Sequence, residues 1–256
     1  MENKLIQTDP SELLKTQTNA RIGLGNVGGS LPTQQTLSLK LDHARAKDAV
    51  FSPLNMELLT EALLEFHIPL FCLKSKVENK IEYLKRPDLG RRLDNNSLEI
   101  LEKSKEKLDI VLVITDGLSA EAVNNQIINV LKRLIPAWSK NYKIALALVE
   151  NGRVAIADEI GERLEAKFTA NFIGERPGLS SPKSLGIYTT FQPKIGLTDE
   201  SRNCISNIHN DGLSIDQTVQ ILNYYMEESF RNEYSGFKLK LELNLIDEQK
   251  NTPTFG

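Results

Sequence analysis

A chain of 256 residues, 40% hydrophobic and 25% charged, has the make-up of an ordinary globular protein and is long enough for one large domain or two modest ones. Its formal charge of -3, with Lys and Arg spread along the chain, gives no basic stripe for nucleic acid, and no run of about 18 apolar residues offers a membrane span. Two cysteines, Cys72 and Cys204, are too few for a disulfide framework or a cysteine-rich zinc site, and the N-terminus lacks the apolar core of a secretory signal, so a cytoplasmic protein is expected.

Residues 2–17 hold few apolar positions and have room for one short helix. Next, 21–29 (RIGLGNVGG) contains a formal GxGxxG at Gly23, Gly25 and Gly28, with Asp42 about 20 residues on, the spacing of a dinucleotide-binding fingerprint. That fingerprint needs a buried strand before it, and 15–21 (KTQTNAR) is polar. A glycine-rich loop covering another surface is therefore the preferred reading, with an NAD-dependent oxidoreductase as the alternative. Pro32 suits the first position of a helix. From 33 to 50, Leu37, Leu41, Ala44 and Ala49 approximate one helical face; 56–66 reads as a second amphipathic helix and 97–107 as a third, with a turn at 86–90 (RPDLG) between them. Residues 1–105 thus read as a smaller, helical N-terminal domain.

Over 106–256 the pattern becomes α/β. Residues 110–114 (IVLVI) form a continuous apolar run of strand length that ends in the turn residues Asp116 and Gly117. Ser119 can cap a helix over 120–135, which Pro136 stops or kinks. Residues 143–149, 167–173 and 186–191 read as strands and 157–165 as a helix, an alternation that implies a mainly parallel, Rossmann-like sheet with right-handed crossovers. The polar stretches 172–178 (FIGERPG) and 199–212 (DESRNCISNIHNDG) then project from one rim of that sheet, where open α/β folds bind ligands. A long helix spans 216–234, with Gly236 as its stop. After it, 237–245 (FKLKLELNL) alternates as an edge strand would, or a tail that pairs with a partner chain.

Isolated residue types give little chemistry. Cys204 and His209 lie five residues apart with no defined nucleophilic geometry, and His43, His67 and His209 lack metal-ligand spacing. No catalytic residue and no metal ligand is assigned.

Several stretches together say more. Residues 42–50 (DHARAKDAV), 83–93 (YLKRPDLGRRL), 113–119 (VITDGLS), 172–178 and 199–212 resemble, in order, motifs of the small (light) subunit of ethanolamine ammonia-lyase, over roughly residues 20–236. The resemblance implies an enzyme that uses adenosylcobalamin to convert ethanolamine to acetaldehyde and ammonia. It implies a hetero-oligomer of paired subunits in which a large barrel subunit holds substrate, so that this chain is inactive alone. It also implies cofactor contacts at Val154 in GRVAI, Glu175 in GERPG and Cys204 in RNCISN. Val154 and Cys204 suit the apolar edges of a corrin ring, and Glu175 suits the N–H donors of its peripheral amides. Residues 106–256 would be the cobalamin-facing domain.

The stretch from Asn207 to Gly212 comes close to the DxHxxG by which some cobalamin mutases supply a histidine to cobalt, but Asn replaces the aspartate that would orient the imidazole. His209 therefore reads as a structural or lining residue. Family members often carry a longer N-terminal extension that resembles an encapsulation signal for a bacterial microcompartment. Little precedes Ala20 here, so a cytoplasmic location is the expectation and the microcompartment the family's alternative.

Overall fold

The structure, a computed structural model, describes residues 14–15, 18, 20–104, 107–179, 181 and 183–241. The short helix expected within 2–17 falls almost wholly outside the described residues, as do 242–245 of the alternating segment. Six strands make one sheet in the order β1-β3-β2-β4-β5-β6: β1 Leu70–Lys74, β2 Ile110–Thr115, β3 Ile144–Glu150, β4 Phe168–Gly174, β5 Leu185–Phe191 and β6 Arg202–Ile208. The first four of these in space pair in parallel, and β5 pairs antiparallel with both β4 and β6. The sheet is therefore mixed, and β5 alone runs against the rest. Central β2 is buried at every position, as a strand covered on both faces must be.

Among the described residues, seven α-helices flank the sheet. Two, α1 Thr33–Phe51 and α2 Met56–Leu64, precede β1; α3 Lys80–Lys85 and α4 Asn95–Glu102 lie between β1 and β2. The crossovers β2 to β3 and β3 to β4 carry α5 Ala120–Trp138 and α6 Ile156–Arg163, and α7 Ile215–Asn232 follows β6. Alternate residues of β2 point into two cores. Ile110, Leu112 and Ile114 join a large cluster with α2, α5, α7 and the inner residues of β5 and β6. Val111 and Val113 join a smaller one with α4 and α6, to which β5 and β6 contribute nothing. Helix α7 opens with a capping box: the Ser214 hydroxyl accepts from the Gln217 N–H while the Gln217 side chain accepts from the Ser214 N–H. No described helix is long and apolar enough to cross a membrane.

Four sequence expectations are corrected. Strand β1 lies within the first 105 residues, which read as helical, and it joins the same sheet through β3. The 199–212 stretch is not one rim loop, because most of it is β6. Pro136 does not end its helix; α5 continues to Trp138, which is buried and donates its indole N–H to Asn223 Oδ1 at 2.7 Å. That anchor offsets the helix bond proline cannot make. Residues 237–241 form a turn in place of a strand, with Leu239 buried and its carbonyl accepting from Asn203 Nδ2 at 2.9 Å.

At the end of β4 a side chain on Gly174 would put its Cβ 2.1 Å from the Ser119 carbonyl oxygen and 2.5 Å from that of Asp116. Gly174→Ala is expected to lower stability by about 1–3 kcal/mol, the usual cost of overpacking. Gly29→Ala, whose Cβ meets nothing within 4 Å, should stay within about 0.5 kcal/mol. Urea midpoints measured side by side check both; equal midpoints would show that β4 does not close on the 116–119 turn.

Candidate functional site

The smaller core stops at β4. Beyond it, the same face of β5 and β6 carries Tyr188, which is half-buried, and Cys204 and Ser206, which are exposed. Register aligns Asn171 of β4, Tyr188 of β5 and Cys204 of β6 in one row across the strands. The opposite faces of β5 and β6, with Leu185, Ile187, Ile205 and Ile208, are buried in the larger core. What remains is a patch around Tyr188, Cys204 and Ser206 with no described α-helix over it, while Arg202, on the same face of β6, is buried against Asp158 of α6.

Glu175 follows β4 at the upper edge of this face. Its carboxylate lies over Gly186, where an added Cβ would meet Oε1 at 3.0 Å, so a side chain there would press on the glutamate. Oε2 accepts from the Ser184 hydroxyl at 2.5 Å and from the Asn207 N–H at 3.3 Å. Asn207 has φ +59° and sits at the register shift between β5 and β6, a bulge that returns Ile208 to the core and turns its own N–H toward Glu175. Glu175 forms no ion pair among the described residues, and Oε1 is left for another donor.

Cys204 stands opposite Tyr188 across the β5–β6 pair. Although the residue is exposed, the protein packed around its sulfur pushes the thiol pKa up; the neighbouring Tyr188 hydroxyl opposes that and the nearby Glu175 carboxylate adds to it. Tyr188 is raised as well, first by burial and then by Cys204 and Glu175. A thiol held protonated beside a neutral phenol is a poor nucleophile and a good apolar contact.

Val154 reaches the face from the other side. The loop after β3 is pinned: a Cβ on Gly152 would lie 2.6 Å from Thr115 Oγ1, and the Arg153 guanidinium stacks 4.0 Å from the Tyr83 ring while donating to the Tyr83 carbonyl at 2.7 Å. The Val154 carbonyl accepts from Asn171 Nδ2 at 2.9 Å, tying the loop to the row that includes Tyr188. Val154 and Tyr188 line one cleft of about 620 Å³, together with Asp158 of α6, Arg202 of β6 and residues 195–199. Arg202 Nη2 donates to Asp158 Oδ2 at 2.7 Å, with both side chains nearly inaccessible. Burial pushes the Asp158 carboxyl up to about 6, against the opposing pull of Arg202.

The three residues singled out by motif, Val154, Glu175 and Cys204, thus border one open face although they come from three different elements. Sequence reasoning missed Tyr188, Asp158 and Arg202. The alternation of Cys204, Ile205 and Ser206 was the available signal for an edge strand, and the bulge at Asn207 hides its continuation. The glycines of 21–29 serve their own backbone. Gly23, Gly25 and Gly28 all have positive φ, and among the described residues no strand precedes them, so the nucleotide fingerprint lacks its setting. His209 closes the turn into α7, its Nδ1 accepting from the Asp211 N–H at 3.2 Å.

Comparison with known proteins agrees with this arrangement of motifs. The profile of the ethanolamine ammonia-lyase light chain family matches residues 8–240. The chain is 43% identical over 249 residues to the ethanolamine ammonia-lyase small subunit of a Pseudomonas aeruginosa strain, covering 95% of this chain and 91% of the relative. It is 45% identical over 238 residues to that of a Pseudomonas fluorescens strain, covering 90% and 86%. Against that of a Pseudomonas putida strain it is 42% identical over 255 residues, covering 95% and 93%. With the match running through every element from α1 to α7, the chain belongs to the ethanolamine ammonia-lyase light chain family and is a lyase subunit.

Proposed function

We propose that this chain is the small subunit of an adenosylcobalamin-dependent ethanolamine ammonia-lyase, working in the cytoplasm as a hetero-oligomer of paired subunits with a large barrel subunit. The observation that carries the reading is the uncovered face of β5 and β6, onto which Val154, Glu175 and Cys204 converge around Tyr188. A corrin is a broad ring with apolar edges and amide-bearing arms, and the residues suit it. Val154, Tyr188 and Cys204 offer an apolar surface, while Glu175 Oε1 offers an acceptor to an amide N–H. Bound adenosylcobalamin supplies the radical chemistry of the reaction.

The role of this chain is then to bind one side of the cofactor, orient it and keep water from it. Ser184 and Asn207 hold the Glu175 carboxylate from one side, so that its other oxygen is fixed before any ligand arrives. None of these residues is assigned a part in breaking or forming bonds of ethanolamine. An NAD-dependent oxidoreductase has no support from the fold around Gly23–Gly28 or from the relatives.

Ethanolamine-dependent ammonia release should be absent with this chain alone and should appear when the large subunit and adenosylcobalamin are added together. Turnover by the isolated chain would overturn the division of labour. A hydrogen bond to a charged acceptor is worth roughly 1.5–3 kcal/mol. Glu175→Ala is therefore expected to weaken cyanocobalamin binding to the assembled complex by about 10- to 150-fold, at about tenfold per 1.4 kcal/mol. Glu175→Gln, which keeps one acceptor oxygen, should lose less. Equilibrium dialysis on complexes of matched thermal stability reads both; wild-type affinity in Glu175→Ala would remove Glu175 from the site.

A further inference from the structure

The Asp158–Arg202 pair is incompletely bonded for one so deeply buried. Its two side chains are 3% and 2% exposed, yet they share one hydrogen bond, from Nη2 to Oδ2. The guanidinium fork and a carboxylate are built to meet through two parallel bonds. Here Nη2 turns also to the Leu197 carbonyl at 3.1 Å, and Nε lies 3.6 Å from Asp199 Oδ1, beyond hydrogen-bonding distance. Arg202 Nε, Arg202 Nη1 and Asp158 Oδ1 have no hydrogen-bond partner among the described residues, and Nη1 and Oδ1 are a donor and an acceptor on opposite members of the pair. Buried polar groups of that kind are normally satisfied, and charged ones cost most when they are not.

Both residues line the cleft that holds Val154 and Tyr188. Asp158 stands in the first turn of α6, four residues after Val154, and Arg202 stands on β6 two residues before Cys204. The unpaired atoms thus belong to side chains in the wall of the cleft that also holds Val154 and Tyr188. An anionic group would satisfy Nη1 and repel Asp158. An ammonium would satisfy Oδ1 and repel Arg202. A primary carboxamide carries a carbonyl acceptor and an N–H donor on one rigid plane and has no net charge, so it answers both atoms at once.

We infer that Asp158 and Arg202 receive one peripheral carboxamide of the cofactor, its carbonyl oxygen accepting a hydrogen bond from Arg202 Nη1 and its N–H donating to Asp158 Oδ1. The inference rests on the cobalamin reading given above and adds to it a pair of residues that select amide over acid.

The test uses the complex of this chain with its large subunit, and as probes cyanocobalamin and its derivatives with a single peripheral amide hydrolysed to a carboxylate. One derivative is expected to bind wild-type complex at least about tenfold more weakly than cyanocobalamin, since it sets a carboxylate against Asp158. Asp158→Asn, which offers that carboxylate an N–H, should bring the same derivative to within about threefold of cyanocobalamin. Asp158→Glu keeps the charge and displaces the oxygens, and is the second variant should Asp158→Asn fail to assemble; it should change the ranking of the derivatives. If every derivative binds wild-type complex within about threefold of cyanocobalamin, or if the ranking is the same in the variants, the pair is a structural ion pair only and the inference falls by itself. If wild-type complex shows no saturable cyanocobalamin binding, the proposed function falls with it.

Discussion

The direction of β5 decides which parts of this sheet can be covered. A parallel pair of strands needs a crossover, and here the crossovers carry helices that bury both faces of β2, β3 and β4. Antiparallel neighbours need no crossover. The connections from β4 to β5 and from β5 to β6 contain no α-helix among their described residues, so no covering element is delivered to the face that α6 has just finished covering. Helix α7, arriving after β6, packs on the opposite face. One reversed strand thus removes half a layer and leaves Tyr188, Cys204 and Ser206 as the surface.

An uncovered face must be polar enough to meet water, and the strands show how this is done. Along β6 the buried residues Asn203, Ile205 and Ile208 alternate with exposed Cys204 and Ser206, and the bulge at Asn207 corrects the phase so that Ile208 faces inward. The same bulge aims a backbone N–H at Glu175. A single extra residue therefore serves both the core and the site, which is how bulges are often used at sheet edges.

Much of the central architecture is legible in sequence because β2 and β3 are continuous apolar runs, as suits a strand covered on both faces. The two edge strands are not. β1 is five residues, mostly half-buried, with exposed Cys72 in its middle, and nothing in LFCLK separates it from a loop between helices. β6 is broken by its bulge and opens with Arg202, a charge that is buried only because Asp158 lies opposite it. Pro136 misleads for the converse reason: local chemistry argues for a stop, and burial of Trp138 overrides it. The three motif residues are legible by family resemblance alone. Their shared face depends on β6 being a strand, and Asp158 and Arg202 acquire meaning only once α6 and β6 are seen to meet.

Open α/β sheets usually bind ligands where the carboxyl ends of parallel strands diverge, here above β2 between β3 and β4. That crevice is filled. Lys80 of α3 reaches over it, pairing with Asp116 at 2.8 Å and donating to the Gly117 carbonyl at 2.8 Å. A Cβ on Gly117 would lie 2.3 Å from the Gly174 carbonyl oxygen, and one on Gly152 would lie 2.6 Å from Thr115 Oγ1. With backbone packed this closely at the strand ends and the Asp116 carboxylate paired, the crevice above β2 leaves little room for a ligand. The segment that supplies Lys80 also supplies Tyr83 and the carbonyl that fixes Arg153, and so it sets the position of Val154 at the border of the open face. Closing the usual site and furnishing the new one are thus the work of the same short helix, a placement that follows from β1 entering the sheet beside β3 and returning α3 across the top.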